Sequence, residues 1–220
     1  IPLSVTSLNA YSFVDCSSLV EMVIPTSVTT IQDYAFLRCK SLKKVLIPSS
    51  VTFIGQFVFG SCSSIVEIEI PSSVTQFKNS VFHSCTSLEK VSFESIIQTI
   101  ENDTFYGCQS LKHIIFPLSL TSIGNNVFYE CSSITEISFP SSLNSIGNSA
   151  FEKCASLSKI TLPSSLKSIG SNCFCECSSL LEIIIPCSIE SIGHNAFERC
   201  VSLTKVDIQC KTNSNDDNEK

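Results

Sequence analysis

Charge is scarce in this chain. Only 15% of its residues are charged, against about a quarter in an ordinary soluble domain, so its polar surface is mostly serine, threonine and asparagine. Positive charge is scarcer still: 14 lysines and arginines face 20 acidic residues, for a net charge of −6. That balance excludes the basic face of a nucleic-acid binder and the polybasic cluster of a membrane-surface anchor. Long apolar runs are lacking as well, none approaching the roughly 18 residues that cross a bilayer, so this segment is not expected to insert into a membrane. No charged start, apolar stretch and cleavage site mark a signal peptide. Met22 is the only methionine and Ile1 falls inside a repeat, so the natural chain is expected to begin upstream.

What the chain has in abundance is repetition. A 23-residue unit begins at Ile1, Ile24, Ile47, Ile70, Phe93, Phe116, Phe139, Leu162 and Ile185, with no insertion. One place in it is always phenylalanine, from Phe13 to Phe197; another is always cysteine, from Cys16 to Cys200; a third is always serine, from Ser18 to Ser202. The second place is proline except at Glu94. In LSKITLP, the spacing of Leu157, Ile160 and Leu162 reads as a short strand with an inward apolar face, closed by Pro163. In SIGNSAFEKC, the spacing of Ala150, Phe151 and Cys154 predicts a helix of about one or two turns. Asn79, Asn102, Asn125 and Asn148 recur at its start, where an asparagine caps free backbone N–H groups. Gly55, Gly124, Gly147, Gly170 and Gly193 precede that place in their repeats, where a sharp turn is expected.

One strand and one short helix per coil cannot bury their own apolar side, but stacked coils can. The expected fold class is therefore α/β: a solenoid whose equivalent residues form ladders about 4.8 Å apart, with the phenylalanine row as its spine. Residues 1–210 read as one solenoid of nine repeats and the start of a tenth, and residues 211–220, KTNSNDDNEK, as a disordered polar tail. Neither end carries an obvious capping unit, so end-to-end self-association is one expectation.

The unit L-x-x-I-x-I-P-x-S-V-x-x-I-G-x-x-A-F-x-x-C-x-S resembles that of the BspA-like leucine-rich repeat proteins. The resemblance implies a curved right-handed solenoid with a parallel sheet on its concave face and the short helices on its convex face. It also implies a cell-surface or secreted adhesin or antigen that engages host or microbial proteins. The family carries no catalytic motif, so no active-site residue transfers. An intracellular scaffold in the cytoplasm, consistent with many free thiols, is the alternative.

One row of the repeat reads Glu21, Lys44, Glu67, Lys90, His113, Glu136, Lys159, Glu182 and Lys205. Apart from the histidine, the sign alternates. Opposite charges on adjacent strands attract by roughly 0.2–1 kcal/mol per pair and like charges repel, so alternation stabilises the stack and fixes its register. The row is either a solvated, register-keeping face or, on a concave surface, the binding site itself. For the second reading the candidates are Lys44, Glu67, Lys90, His113, Ile115, Glu136, Lys159 and Glu182. The fifth repeat departs most, with Glu94 for proline, Ile96 for serine and Glu101 for glycine. It is either a decayed unit or, with Lys90, His113, Ile115 and Glu136, a contact spot sensitive to pH. Tyr11, Tyr34 and Phe57 form a second candidate, an aromatic patch that either meets a partner or packs against an N-terminal segment.

Nine of the 13 cysteines belong to the inward row, where neighbouring Cβ atoms are wider apart than the roughly 3.8 Å of a disulfide; they are expected to be thiols. Cys187 and Cys210 share one loop place in successive repeats and are expected to pair. Cys173, Cys175 and Cys177 point to different sides and do not make a metal site. The sequon Asn102-Asp103-Thr104 is a weak glycosylation signal, its asparagine doubling as an expected cap. His83, His113 and His194 occupy three different places and do not converge. No phosphate-binding loop, zinc-protease helix or nucleophile elbow occurs, so neither a catalytic residue nor a metal or other cofactor is assigned.

Overall fold

Two short stretches of every repeat are extended. The computed structural model, which describes residues 1–209, places a two-residue strand early in each repeat, from Ser7–Leu8 to Ser191–Ile192. A second strand of three to five residues follows, from Glu21–Val23 to Lys205–Gln209. Each strand pairs in parallel with a counterpart one repeat away: Ser7 with Thr30, Glu21 with Lys44, Glu136 with Lys159. The long strands alternate as a half-buried sheet must; Glu136 and Ser138 face out while Ile137 is buried.

No helix exists among the described residues, which corrects the α/β reading with helices on a convex face. The molecule is a parallel β-solenoid. Where the helix was expected, every second amide leaves its own coil. Tyr11, Phe13 and Asp15 N–H groups donate to the carbonyls of Asp33, Ala35 and Leu37 in the next repeat at 3.2, 2.8 and 2.9 Å. The amides between them, Ser12, Val14 and Cys16, close tight turns within the coil onto Asn9, Tyr11 and Phe13. Two residues per repeat adopt left-handed backbone to make this possible, Tyr11 at φ 61° and Asp15 at φ 59° in the first and Asn195 and Arg199 in the last.

Spacing explains why the turns win. Helices side by side need about 8–10 Å between axes, and strands about 4.8 Å. The phenylalanine rings stack at 4.9–5.6 Å from repeat to repeat, so this side of the coil is as thin as the sheet. A helix of one or two turns would also leave most of its amides and carbonyls unpaired. The turns hand those groups to the neighbouring coil instead.

The same stacking reassigns the asparagines and glycines. Asn102, Asn125 and Asn148 do not cap helices: each Oδ1 accepts the backbone N–H of Asn125, Asn148 and Ser171 in the following repeat at 2.7–2.8 Å. Glycine is required by close approach rather than by a turn. A Cβ on Gly147 would sit 2.6 Å from the Gly124 carbonyl carbon.

Phe36, Phe59, Phe82, Phe105, Phe128, Phe151 and Phe174 are fully buried at the centre of one continuous core, while Phe13 and Phe197 at the ends are half-buried. Beside them the thiols of the cysteine row each donate to the phenylalanine carbonyl of the preceding repeat, from Cys39 on Phe13 at 3.1 Å to Cys200 on Phe174 at 3.1 Å. All of these cysteines are free. Cys173, Cys175 and Cys177 are buried too, and no group able to hold a metal ion occurs among the described residues. The pairing expected between Cys187 and Cys210 involves a residue outside the described ones, as does the expected tail.

Two predictions follow from this core. Phe105→Ala should lower stability by about 3–5 kcal/mol in urea unfolding, whereas Phe13→Ala, already half in solvent, should cost distinctly less. Burial raises the thiols, pushing Cys85 from 9.0 to about 12 and Cys108 and Cys131 well up. Above pH 9.0 an unfolded chain loses these protons while the folded one keeps them, so stability should fall as pH rises towards about 12. Denaturant midpoints measured along that range should show a shallower loss in Cys85→Ala than in the parent.

Candidate functional site

The long-strand row does not form one unbroken ladder. It divides into hydrogen-bonded groups of two, three, two and two strands, and one division separates His113–Ile115 from Glu136–Ser138. A groove of about 570 Å³ lies across this break. Its walls include Lys90, Lys112, His113, Ile115, Glu136 and Lys159, so five of the candidates named from the sequence meet in one place. Inward neighbours hold them there: Val91, Ile137 and Ile160 are buried, fixing the opposite pleat outward. Ile115 stands 56% exposed among the charges.

A second groove, of about 480 Å³, includes Lys44, Leu46, Val66, Glu67, Glu69 and Lys90. It gathers two further candidates, and Leu46 is 68% exposed beside them. Lys90 is shared by both grooves. Glu182 lies apart, paired in register with Lys205 near the end of the row. Lys205 itself turns to Asp207 at 2.8 Å, a hydrogen bond that holds its ammonium above the usual lysine range.

The alternating charges are in register, Glu21 beside Lys44, Glu67 beside Lys90, Glu136 beside Lys159. Yet among the described residues none of these pairs closes to an ion pair within 4.0 Å. Ion pairs between repeats form in other rows instead. On the turn side Arg38 meets Asp15 at 2.5 Å, Lys153 meets Glu130 at 3.4 Å, and Arg199 meets Glu176 at 3.1 Å. At the groove edge Lys112 meets Glu89 at 3.1 Å. Sequence reasoning missed both Lys112 and the turn-side row, although opposite charges one repeat apart were the available signal. Asp15 is held below its usual range by its hydrogen bond to Arg38.

Tyr11, Tyr34 and Phe57 stack in order at 4.9 and 5.5 Å, close to parallel. Their faces are spent on each other, and only Tyr11 is largely exposed. The stack then shifts column and continues through His83 at 5.5 Å, Tyr106 at 4.8 Å and Tyr129 at 4.7 Å. It ends under Lys153, whose Nζ lies 4.8 Å from the Tyr129 ring centre. Burial in this stack lowers the pKa of His83. The three histidines stay apart, as their different places in the repeat require.

Similarity to known proteins accords with this architecture. The BspA type leucine rich repeat region (6 copies) matches residues 1–112 and 98–218. A leucine-rich repeat protein from Bacteroides ovatus is 27% identical over 96% of this chain and 59% of its own, with a TM-score of 0.74. The leucine-rich repeat protein of T. pallidum is 33% identical over 64% of this chain and 69% of its own, with a TM-score of 0.63. One from Eubacterium ventriosum is 30% identical over 71% of this chain and 42% of its own, with a TM-score of 0.67. The chain thus spans well under two thirds of the Bacteroides and Eubacterium proteins. No curated protein matches it. A repeat match running nearly end to end, carried on a parallel stack of 23-residue coils, places this chain in the BspA-type leucine-rich repeat family.

Proposed function

We propose that the chain is a non-enzymatic protein-binding module that takes its partner on the long-strand face, centred on the groove between Lys90 and Lys159. The observation that carries this reading is the uncommitted state of the row. Lys44, Glu67, Lys90, His113, Glu136 and Lys159 make no ion pair or side-chain hydrogen bond among the described residues. Other rows in the same solenoid pair their charges readily. A row kept only for register would gain by closing those pairs. Instead the groups stand free beside exposed Leu46 and Ile115, the mixture of apolar contact and directional charge that protein interfaces use.

The family supports placing this module in a cell-surface or secreted adhesin or antigen that binds host or microbial proteins. Free thiols carry little weight for the intracellular alternative, because burial withholds all of those in the described residues but Cys16 from oxidants in any compartment.

The test is affinity capture from a mixture of cell-surface and matrix proteins, comparing the parent with Lys90→Glu/Ile115→Asp/Lys159→Glu. Glu152→Lys on the turn side serves as a control, and circular dichroism verifies folding. A partner retained by the parent and the control but lost by the triple variant is expected. Equal retention by all three would remove the site from this face.

A further inference from the structure

The short-strand row has one opening. It runs as a ladder of four strands ending at Gln76–Phe77 and a ladder of five beginning at Thr99–Ile100, with no pairing between those two. Besides the pairing within the strands, backbone bonds at both strand ends join every other adjacent pair of repeats along this row, as Thr75 N–H to Thr52 O and Gly124 N–H to Ile100 O illustrate. Between the fourth and fifth repeats both are missing. The carbonyls of Thr75 and Phe77 and the amides of Gln98 and Glu101 have no backbone partner among the described residues. The strands stand farther apart here than in any laddered pair of the row. A groove of about 390 Å³ lies between them, lined by Thr75, Phe77, Lys78, Ile96, Gln98 and Glu101 among others.

The cause is local and starts at Glu94. In the other repeats proline in this place ends the long strand, and its carbonyl accepts the amide three residues on, as Pro71 does from Val74 at 3.0 Å. Glu94 has the N–H that proline lacks. It donates to Ile70 at 2.9 Å, prolongs strand pairing, and the turn bond does not form. Downstream the chain is displaced: Ser95 is buried with an unpartnered hydroxyl, and Ile96 is 69% exposed. Serines at the place of Ile96 bond the preceding repeat, as Ser73 does on Val51 O at 2.7 Å; isoleucine cannot. Elsewhere the repeats stay joined. Lys90 pairs with His113, and Ser80, Phe82 and Ser84 donate to Asn102, Thr104 and Tyr106. Only one of three seams is open.

We infer that this seam is a docking slot for an extended segment of another polypeptide, inserted parallel to the solenoid strands. At the two ends of the seam the fourth repeat offers the carbonyls of Thr75 and Phe77, and the fifth the amides of Gln98 and Glu101. A strand of about four residues supplies the missing partners on both sides, with N–H groups to Thr75 and Phe77 and carbonyls to Gln98 and Glu101. Recognition is mainly through the main chain. An apolar side chain of the guest lies against Ile96, and Lys78 and Glu101 at the mouth disfavour neither sign of charge. This surface is distinct from the long-strand groove, and its occupation does not depend on that groove's role.

The probe is a terminally blocked hexapeptide, LTSIGN, the sequence of residues 120–125, which already forms both kinds of bond one repeat further on. Hydrogen exchange is read residue by residue on the parent chain, with and without peptide. Binding in the slot slows exchange at Gln98 and Glu101, which separates it from binding at the free ends of the array. The same peptide N-methylated at its threonine and glycine nitrogens should bind about tenfold more weakly, having lost two backbone donors. Glu94→Pro/Ile96→Ser/Glu101→Gly, which restores the repeat, should protect both amides without peptide. Unchanged exchange at Gln98 and Glu101 with saturating peptide, or equal slowing by the methylated form, would overturn the proposal even if the triple variant failed to fold.

Discussion

Everything in this molecule depends on one distance, the separation of about 4.8 Å between neighbouring strands. Each residue lies that close to its own copy one repeat away, so each row of the repeat must be able to stack on itself. Phenylalanine does so ring on ring, cysteine by donating its thiol to the carbonyl behind it, asparagine by accepting an amide from the coil in front. Glycine is demanded where no side chain fits between backbones. Charge is tolerated where it alternates or turns to solvent. A residue's worth here is set less by its neighbours along the chain than by what stands one repeat before and after it.

That constraint separates what was legible in the sequence from what was not. The register was legible, since the Phe13-to-Phe197 row has an unbroken 23-residue spacing and parallel stacking follows from it. The inward faces of Leu157, Ile160, Phe151 and Cys154 were legible for the same reason. The helix was misread because successive tight turns and a short helix both bring Ala150, Phe151, Cys154 and Leu157 inward, and apolar spacing cannot separate them. Another signal was present. Ser80, Asp103, Asn126, Ser149, Asn172 and Asn195 share one place and Ser61, Ser84 and Gly107 another, and all have positive φ. Serine, asparagine, aspartate and glycine tolerate that region better than most residues.

The candidate surface divides along the same line. That Lys90, His113, Glu136 and Lys159 would stand side by side was a matter of register, which the repeat dictates. Which charges would close into ion pairs was not, because that depends on how far each side chain reaches and which way it leans. Asp15 and Arg38 meet where both have left-handed backbone; Glu136 and Lys159 start from extended backbone and close no ion pair. The groove at their feet comes from a break in sheet pairing for which the strand sequences give no counterpart. A surface built this way keeps its framework constant while its outward residues vary, and neither the phenylalanine nor the cysteine row is disturbed.

The open seam at the fifth repeat also has a mechanical meaning. The long-strand row is open at three junctions, but here alone it is the short-strand row that is open. Load applied between the ends falls on the junctions held along two seams, and at this one it acts on the slot. Along the short-strand row the solenoid is thus two ladders meeting at a compliant joint, whose softness originates in a single amide hydrogen that proline would have removed.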